Sequence, residues 1–391
     1  MKHYVGLDVS MKETCICIED ENGKIVFQGS VDTDPVCIAE VLKQALVPIE
    51  RVGVESGSIS HWLTENLRQL EIPAICIDAR KMATLLSVQV NKTDKNDARG
   101  IAQAMRCGLY REVKQKSQNA IEVGTLMGCR KLLVEQKVQT ANAIRGFLKT
   151  YGIRLGATSD VNFVTKVRER LLDEYHMAKT SLGTLLKTYS SICEELKTLT
   201  KQVNDIAKDN ETARRLMTIP GVGSITAMSY MAEIDDPLRF RNGRSVGAYL
   251  GMTPIQYSSG ETKRQGRISK CGSAEVRCLL MEAATVLLTK SKAWSKLKAW
   301  GLKIQRKHGF KKAAMAVGRK LAVIMYRMWI DKIDFIYGNP DAKKQTLKAS
   351  SKNTSAQIDD VCLRQNSPVE SLHTLTKGLS EERVLCVSAN A

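Results

Sequence analysis

The first hundred residues alternate between short apolar runs and polar punctuation. Residues 3–9, "HYVGLDV", form one run, and "TCICIED" and "KIVFQGS" follow, joined by "ENGK". Asn-Gly between two alternating runs is the strongest short-range hairpin signal, because it supplies the φ > 0 positions of a tight turn. "RVGVES" reads as a further strand ending in Glu55, residues 61–70 as a helix, and "PAICID" as the next strand. "TDKNDARGIAQAM" then opens a helix, with Thr93 placed to cap it. The predicted order, β-β-β-β-α-β-α beginning with a hairpin, is an α/β layer arrangement.

The period changes beyond residue 112. Residues 118–150 lack Pro, hold only three Gly, read as one long helix, and are followed by the interruption "YGIRLGATSD". From 180 to 207, Leu182, Leu185, Tyr189, Ile192, Leu196, Leu199, Val203 and Ile206 repeat at heptad a/d spacing. Such a seam calls for a partner helix, either a second copy of the chain or the 118–150 helix folded back on it. Residues 214–335 form a third, turn-punctuated unit that ends in the helical stretch "KKAAMAVGRKLAVIMYRMWI". After about residue 338 the chain is polar and aperiodic. The expected units are therefore 1–112, α/β; 113–210, a helical coiled-coil or oligomerisation segment; 211–338, mainly helical and basic; and 339–391, a disordered tail.

Charge sharpens this division. Residues 1–110 hold 12 Lys/Arg and 15 Asp/Glu, although the 391-residue chain carries a net charge of +18. The acidic front suggests chemistry and the basic rear a polyanion. No apolar run is long enough to span a bilayer, and the N-terminus has no signal-peptide pattern, so no membrane role and a cytoplasmic location are expected. The eleven cysteines form no C-x-x-C pair and read as small core residues, with Cys15 and Cys17 sharing a buried face.

Asp94 and Asp97 sit at i and i+3, on one face of a helix. Asp8 and Glu55 close two strands. Acids at adjacent strand ends and on a helix packed beside them can converge, and their repulsion is relieved by a divalent cation. Oxygen ligands favour Mg²⁺ or Mn²⁺, which support phosphodiester chemistry.

In the rear, "LMTIPGVGSITAMSYMAEI" sets Gly221 and Gly223 in a turn between helical segments, a helix-hairpin-helix signature whose N–H groups can approach phosphate. Lys263, Arg264, Arg267, Lys270 and Arg277 follow, and residues 261–327 hold 17 Lys/Arg against 3 Asp/Glu, a density suited to phosphate neutralisation. Trp294 and Trp300 stand among lysines; base stacking is open to them, but core packing is the expectation.

"YVGLDVSMKETCICIEDENGKIV", "VGVESGS" and "NKTDKNDARGIA" resemble the DEDD transposases of the insertion-sequence family one-hundred-and-ten, which also includes Piv/MooV-type DNA invertases. "KTDxxDA" is the most specific of these motifs. The resemblance implies a ribonuclease-H-like, RuvC-like front domain with its Asp-Glu-Asp-Asp tetrad at Asp8, Glu55, Asp94 and Asp97. "IPGVGSITA", "YLGMTP", "SSG" and "GRISKCGSAEVRCLL" resemble the same family's C-terminal transposase domain, which carries a serine nucleophile. Ser259 is the best match, with Ser258 a rival and Ser273 a weaker one. The resemblance spans about residues 3–335. It implies cutting and rejoining of DNA, an element-encoded guide RNA that selects donor and target, and a homo-oligomer. Rival readings are a structure-specific nuclease of the Holliday-junction-resolving kind, an invertase, and a non-enzymatic architectural DNA-binding protein.

Overall fold

A computed structural model of the chain describes residues 1–87, 92–171, 175–260 and 262–338; the 339–391 tail lies outside the described residues. The front comprises β1 (His3–Val9), β2 (Glu13–Asp20), β3 (Ile25–Asp32), α1 (Pro35–Gln44), β4 (Ile49–Glu55), α2 (Ser60–Gln69), β5 (Ala74–Ile77), α3 (Ala79–Leu86) and α4 (Asp94–Cys107). The five strands form one sheet in the order β3-β2-β1-β4-β5, antiparallel from β3 to β1 and parallel from β1 to β5. The predicted Asn-Gly turn joins β2 to β3: the Asp20 carboxylate accepts from the Asn22 and Lys24 amides, and Gly23 has φ +86°.

Two helices are additions to the predicted order. In α1, Asp34 accepts from the Val36 and Cys37 amides and Pro35 starts the helix. Its apolar face is only Pro35, Ile38, Ala39 and Leu42, too short a repeat to stand out. Asp78 caps α3 in the same way, through the Arg80 amide.

Strand alternation decides which face of the sheet meets which helix. Val5, Leu7, Val52 and Val54 are fully buried and pack with Ile38 and Leu42 of α1 and Leu63 and Leu67 of α2. The opposite face of β1 and β4 carries Gly6 and Gly53, which are paired with each other across the two strands. A Cβ on Gly6 would overlap the Ala98 carbonyl and Ala102 amide of α4; one on Gly53 would press on Ile101 and Met105. The helix answers with small residues, Ala98, Gly100 and Ala102, on its buried side. It therefore lies with its backbone against the sheet. The buried Glu19 carboxylate on β2 receives Arg99 and Arg106 from the same helix, both at 3.4 Å.

Helix α5 (Gln118–Thr150) matches its predicted bounds and runs antiparallel to α7 (His176–Asp209), with α6 (Asp160–Arg170) beside them. The heptad seam is partly filled from within the chain. Leu182, Leu185 and Tyr189 join a cluster with Ile144 and Leu148 of α5, while Val203 and Ile206 join one with Met127. Ile192, Leu196 and Leu199, in the middle, are only half-buried.

The rear comprises α8 (Glu211–Leu216), α9 (Ser224–Ile234), α10 (Gly243–Tyr249), a hairpin of β6 (Pro254–Ser259) and β7 (Thr262–Ile268), α11 (Ala274–Thr289), α12 (Lys296–His308) and α13 (Phe310–Asp331). Their shared core includes Tyr230, Leu280, Leu287, Val317 and Leu321. Front and rear are tied by Lys114–Asp236, by Lys116 Nζ to Glu233 Oε2 at 2.8 Å, and by Ser117 Oγ to Asp235 Oδ1 at 2.6 Å. Cysteines bear out the core reading only in part. Cys17 is buried and Cys15 half-buried against Ala98 and Ala102, but Cys107, Cys129, Cys271 and Cys278 are exposed.

Gly6→Ala should lower stability by about 3 kcal/mol, because the added methyl meets helix backbone that has no rotamer to yield. Urea denaturation measures this. A loss below about 0.5 kcal/mol, the size of an ordinary surface substitution, would mean that α4 can shift without cost.

Candidate active site

The alternation that points Gly6 and Gly53 at α4 also points the residues two further along, Asp8 and Glu55, to the same face. Both sit at the C-terminal ends of their strands. Helix α4 lies across them with its first turn at that end. Thr93 caps it as predicted, its hydroxyl accepting from the Asn96 amide at 3.2 Å. The Gln28 side chain of β3 donates to the Lys95 carbonyl at 3.0 Å, holding the same turn. Asp97 is buried and Asp94 exposed.

Asp8, Glu55 and Asp97 line one cleft of about 430 Å³, together with Ser56, Lys92 and Ala83. Burial, then Asp97 and Asp94, push the Asp8 carboxyl up to about 6, against the pull of Lys92. Burial, then Asp8 and Asp97, hold Glu55 above the ordinary carboxylate range, with Lys92 again opposing. Asp8 thus feels the charges of Asp94 and Asp97, and Glu55 those of Asp8 and Asp97. Among the described residues, no three Asp, Glu, His or Cys side chains stand close enough to hold a metal ion as they are placed. Their donor chemistry still fits a hard divalent cation: every donor is a carboxylate oxygen, and among the described residues that line the cleft exposed Lys92 is the one cation.

Ser259 is not among the residues lining that cleft. It ends β6, next to Gly260 (φ +52°), at the tip of an exposed hairpin, with Ser258 beside it. Ser273, the weaker candidate, caps α11 through the Val276 amide and so has a structural duty. The base of the hairpin is fixed by crossing loops. A Cβ on Gly251 would overlap the Cys271 amide, and one on Gly272 would overlap the Tyr249 carbonyl. Arg277 secures the crossing by donating to the Leu250 and Gly272 carbonyls at 3.1 and 2.5 Å. From the front, Arg80 donates to the Cys271 carbonyl at 3.1 Å.

The residues predicted to meet phosphate divide. Arg264, Arg267 and Lys270 are exposed, and the side chain of Lys263 lies outside the described residues. Arg277 is engaged by the two carbonyls. Gly221 (φ +92°) backs onto α11, where a Cβ would press on the Ala283 carbonyl, so packing alone demands it. Gly223 is exposed at the start of α9. The expectation for the tryptophans needs correction. Trp300 packs against the rear core and has Lys320 Nζ 4.2 Å from its ring centroid, but Trp294 is 65% exposed.

Sequence reasoning missed Lys92, which faces Asp8 and Glu55; its signal was its place directly before the Thr-Asp pair. It also missed the repeated pattern Gly-x-acid in "VGLDV" and "VGVES", which marks where a helix comes down and what it meets.

Two family models match the chain: a DEDD transposase model over residues 5–153, which contains all four acids, and a model described as transposase IS116/IS110/IS902 family over 213–299, which contains Ser259. The transposase for insertion sequence element IS1111A of Coxiella burnetii is 29% identical over 330 residues, 83% of this chain and 88% of its own. The transposase for insertion sequence element IS1328 of Yersinia enterocolitica is 28% identical, over 82% of this chain and 95% of its own. A probable family 20 transposase of Pseudomonas aeruginosa is 27% identical over 61% of this chain and 71% of its own. With matching models at the acidic front and the basic rear, and relatives aligned across most of both, the chain belongs to the IS110 family of DEDD insertion-sequence transposases.

Proposed function

We propose that this transposase cuts and rejoins DNA strands with a Mg²⁺-dependent site at Asp8, Glu55, Asp94 and Asp97 and a serine nucleophile, Ser259. The observation that carries the reading is the shared cleft of Asp8, Glu55 and Asp97, where Asp97 raises the charging cost of both Asp8 and Glu55. Sheet order and pairing support a ribonuclease-H-like front. Mg²⁺, or Mn²⁺, held by the four carboxylates would supply charge stabilisation at the phosphate. The chain's own residues do the rest. Ser259 Oγ forms a new P–O bond, the scissile P–O bond breaks, and the released hydroxyl takes the proton. Reversal rejoins a strand without a high-energy cofactor, because the phosphodiester energy is kept in the serine ester. Exposed Arg264, opposite Tyr257 on the partner strand near the serine, suits the charge on the phosphodiester, with Arg267 further down the same strand. A structured RNA from the element selecting donor and target belongs to this reading, and the basic rear accommodates it. A resolvase-like nuclease would use the same acids with the serine idle; an invertase would use all five residues.

A suicide DNA substrate with Mg²⁺ should trap a denaturation-resistant adduct. Ser259→Ala and Asp97→Ala should each remove it while DNA binding stays within about twofold, since the basic surface is intact. Clean hydrolysed ends without adduct from the active wild type would select the nuclease instead.

Linkage gives the acidic site a pH signature. Asp8 titrates at about 6 in the folded chain against 3.8 as its ordinary value, so its ionisation costs stability above pH 6, and that cost fades as pH falls toward 4. Asp8→Asn should therefore stabilise the metal-free protein at pH 7.5 by on the order of 1 kcal/mol, after allowance for solvent screening, and by nothing near pH 4. Mg²⁺ should raise the wild-type Tm at pH 7.5 and cease to do so near pH 5. A Tm insensitive to Mg²⁺ at both pH values would remove the metal site.

Self-association through the centre of α7 belongs to the same reading, supported by half-buried Ile192, Leu196 and Leu199 and by exposed Leu132 and Val138 on α5. Changing Ile192 and Leu199 to Asp should lower the mass seen by light scattering. An unchanged mass with an intact helical spectrum would make the α5–α7 hairpin self-contained.

A further inference from the structure

We propose that the loop carrying Trp294, with the acid-free basic helix α12 behind it, is a stacking platform for unpaired nucleotides of single-stranded nucleic acid. The inference rests on the DNA-processing reading but names a contact apart from both the acids and the serine hairpin. Four observations carry it.

Residues 283–330 contain 12 Lys/Arg and no Asp or Glu, so no carboxylate of this segment competes with phosphate. Within that segment stands an indole, Trp294, that is 65% exposed and has no ring or cation partner among the described residues. A large aromatic left in water is an unexplained cost for a free-standing chain, and it is repaid on contact with another π-face. The companion Trp300 differs: it is packed on the core beneath Lys320, so burial was available nearby to an aromatic of the same segment.

The loop is also held in place. The Ser291 amide donates to the Val286 carbonyl at 2.9 Å, and Lys298 Nζ to the Ser291 carbonyl at 2.6 Å. Ser295, adjacent to the indole, is 1% exposed and caps α12 through the Lys298 amide. Trp294 thus projects from a loop anchored on both sides, which lowers the ordering cost of a contact.

The chemistry around the ring selects the ligand. Lys290, Lys292 and Lys296, all within four residues of the ring, are exposed and suit the phosphates of a strand whose base stacks there. Helix α12 then runs 13 residues, roughly 20 Å, to a second exposed aromatic, Phe310. Aromatic faces alternating with cations along a track suit a strand whose bases are free to stack. A duplex buries its base faces and would use the cations alone.

The test is equilibrium binding of full-length protein to labelled mixed-sequence oligonucleotides of about 12 residues, as single-stranded DNA, single-stranded RNA and blunt duplex. Trp294→Ala should weaken single-strand binding about tenfold and duplex binding less than twofold, while Trp294→Phe keeps most of the affinity. Changing Lys292 and Lys296 to Gln should flatten the salt dependence of single-strand binding by about 1.4 in log–log slope, with Trp294 intact. Preference for the RNA strand would identify a guide as the ligand, and preference for the DNA strand an opened element end; either supports the platform. Wild-type affinity of Trp294→Ala for both single strands would overturn it, and so would an equal loss on duplex. A variant that loses single-strand affinity supports the platform even if no strand joining is detected in the wild type. Strand joining by a wild type whose affinity ignores Trp294 leaves the transposase reading standing and removes this one.

Discussion

The structure depends on how closely one helix approaches one sheet. Helix α4 carries two of the four acids, and strands β1 and β4 carry the other two, so the cleft exists only at the depth to which α4 sinks. Gly6 and Gly53 set that depth by leaving no side chain between helix backbone and sheet. Glycine in a strand costs on the order of 0.5–1 kcal/mol of propensity. That is small beside the clash of a methyl group with the Ala98 carbonyl and Ala102 amide. The buried Glu19 then fixes the helix along its length through Arg99 and Arg106. Removing a partner from such a buried pair leaves an uncompensated charge, so the contact resists sliding more than it adds stability.

Once seated, the helix creates an electrostatic problem that the chain leaves unsolved. Asp8 is held above the ordinary carboxylate range by burial and by Asp97 and Asp94, and Glu55 by burial and by Asp8 and Asp97, while among the described residues Lys92 is the one cation lining their cleft. The chain has cations in abundance, yet they are placed in the rear, where they meet other demands. A site short of positive charge in a protein rich in it is consistent with a cation supplied from solution. Filling the cleft with arginines would relieve the same repulsion and remove the capacity to take one up.

Local rules read the front of this chain well. The Asn-Gly turn, the Thr93 cap, the strand-end acids and the bounds of α5 were all visible, because each is set by residues within a few positions of one another. Helices α1 and α3 were not, since eight to ten residues with four or fewer buried side chains give no repeat to detect. The heptad seam was visible but its partner was not: a/d spacing states that a helix is covered without stating by what, and α5 covers its two ends. Trp294 and Arg277 failed for the same reason in opposite senses. An indole among lysines and an arginine among basic residues look alike in sequence whether they face solvent or carbonyl groups. Only tertiary packing sends the first outward and turns the second toward Leu250 and Gly272.

The two candidate chemical groups are mounted in contrasting ways, and the contrast bears on how they meet. The acids rest on β1, β4 and α4, among the most buried backbone of the front. Ser259 rides the tip of a two-stranded hairpin whose side chains beyond Pro254 are exposed up to that tip, while its base is locked by the Gly251–Gly272 crossing and by Arg277. An isolated two-stranded hairpin is marginal in water, so its outer half has little reason of its own to hold one shape. A fixed base with an unsupported tip lets the serine be positioned by what it touches. Charged phosphate and the exposed Arg264 and Arg267 supply that contact only when nucleic acid is present. Under the proposed function, the serine would take its working position from the substrate, whereas the acids take theirs from the fold. Strand attack is then, under the same proposal, coupled to correct assembly, because the fold alone brings Asp8, Glu55 and Asp97 to one cleft but leaves Ser259 on an exposed tip.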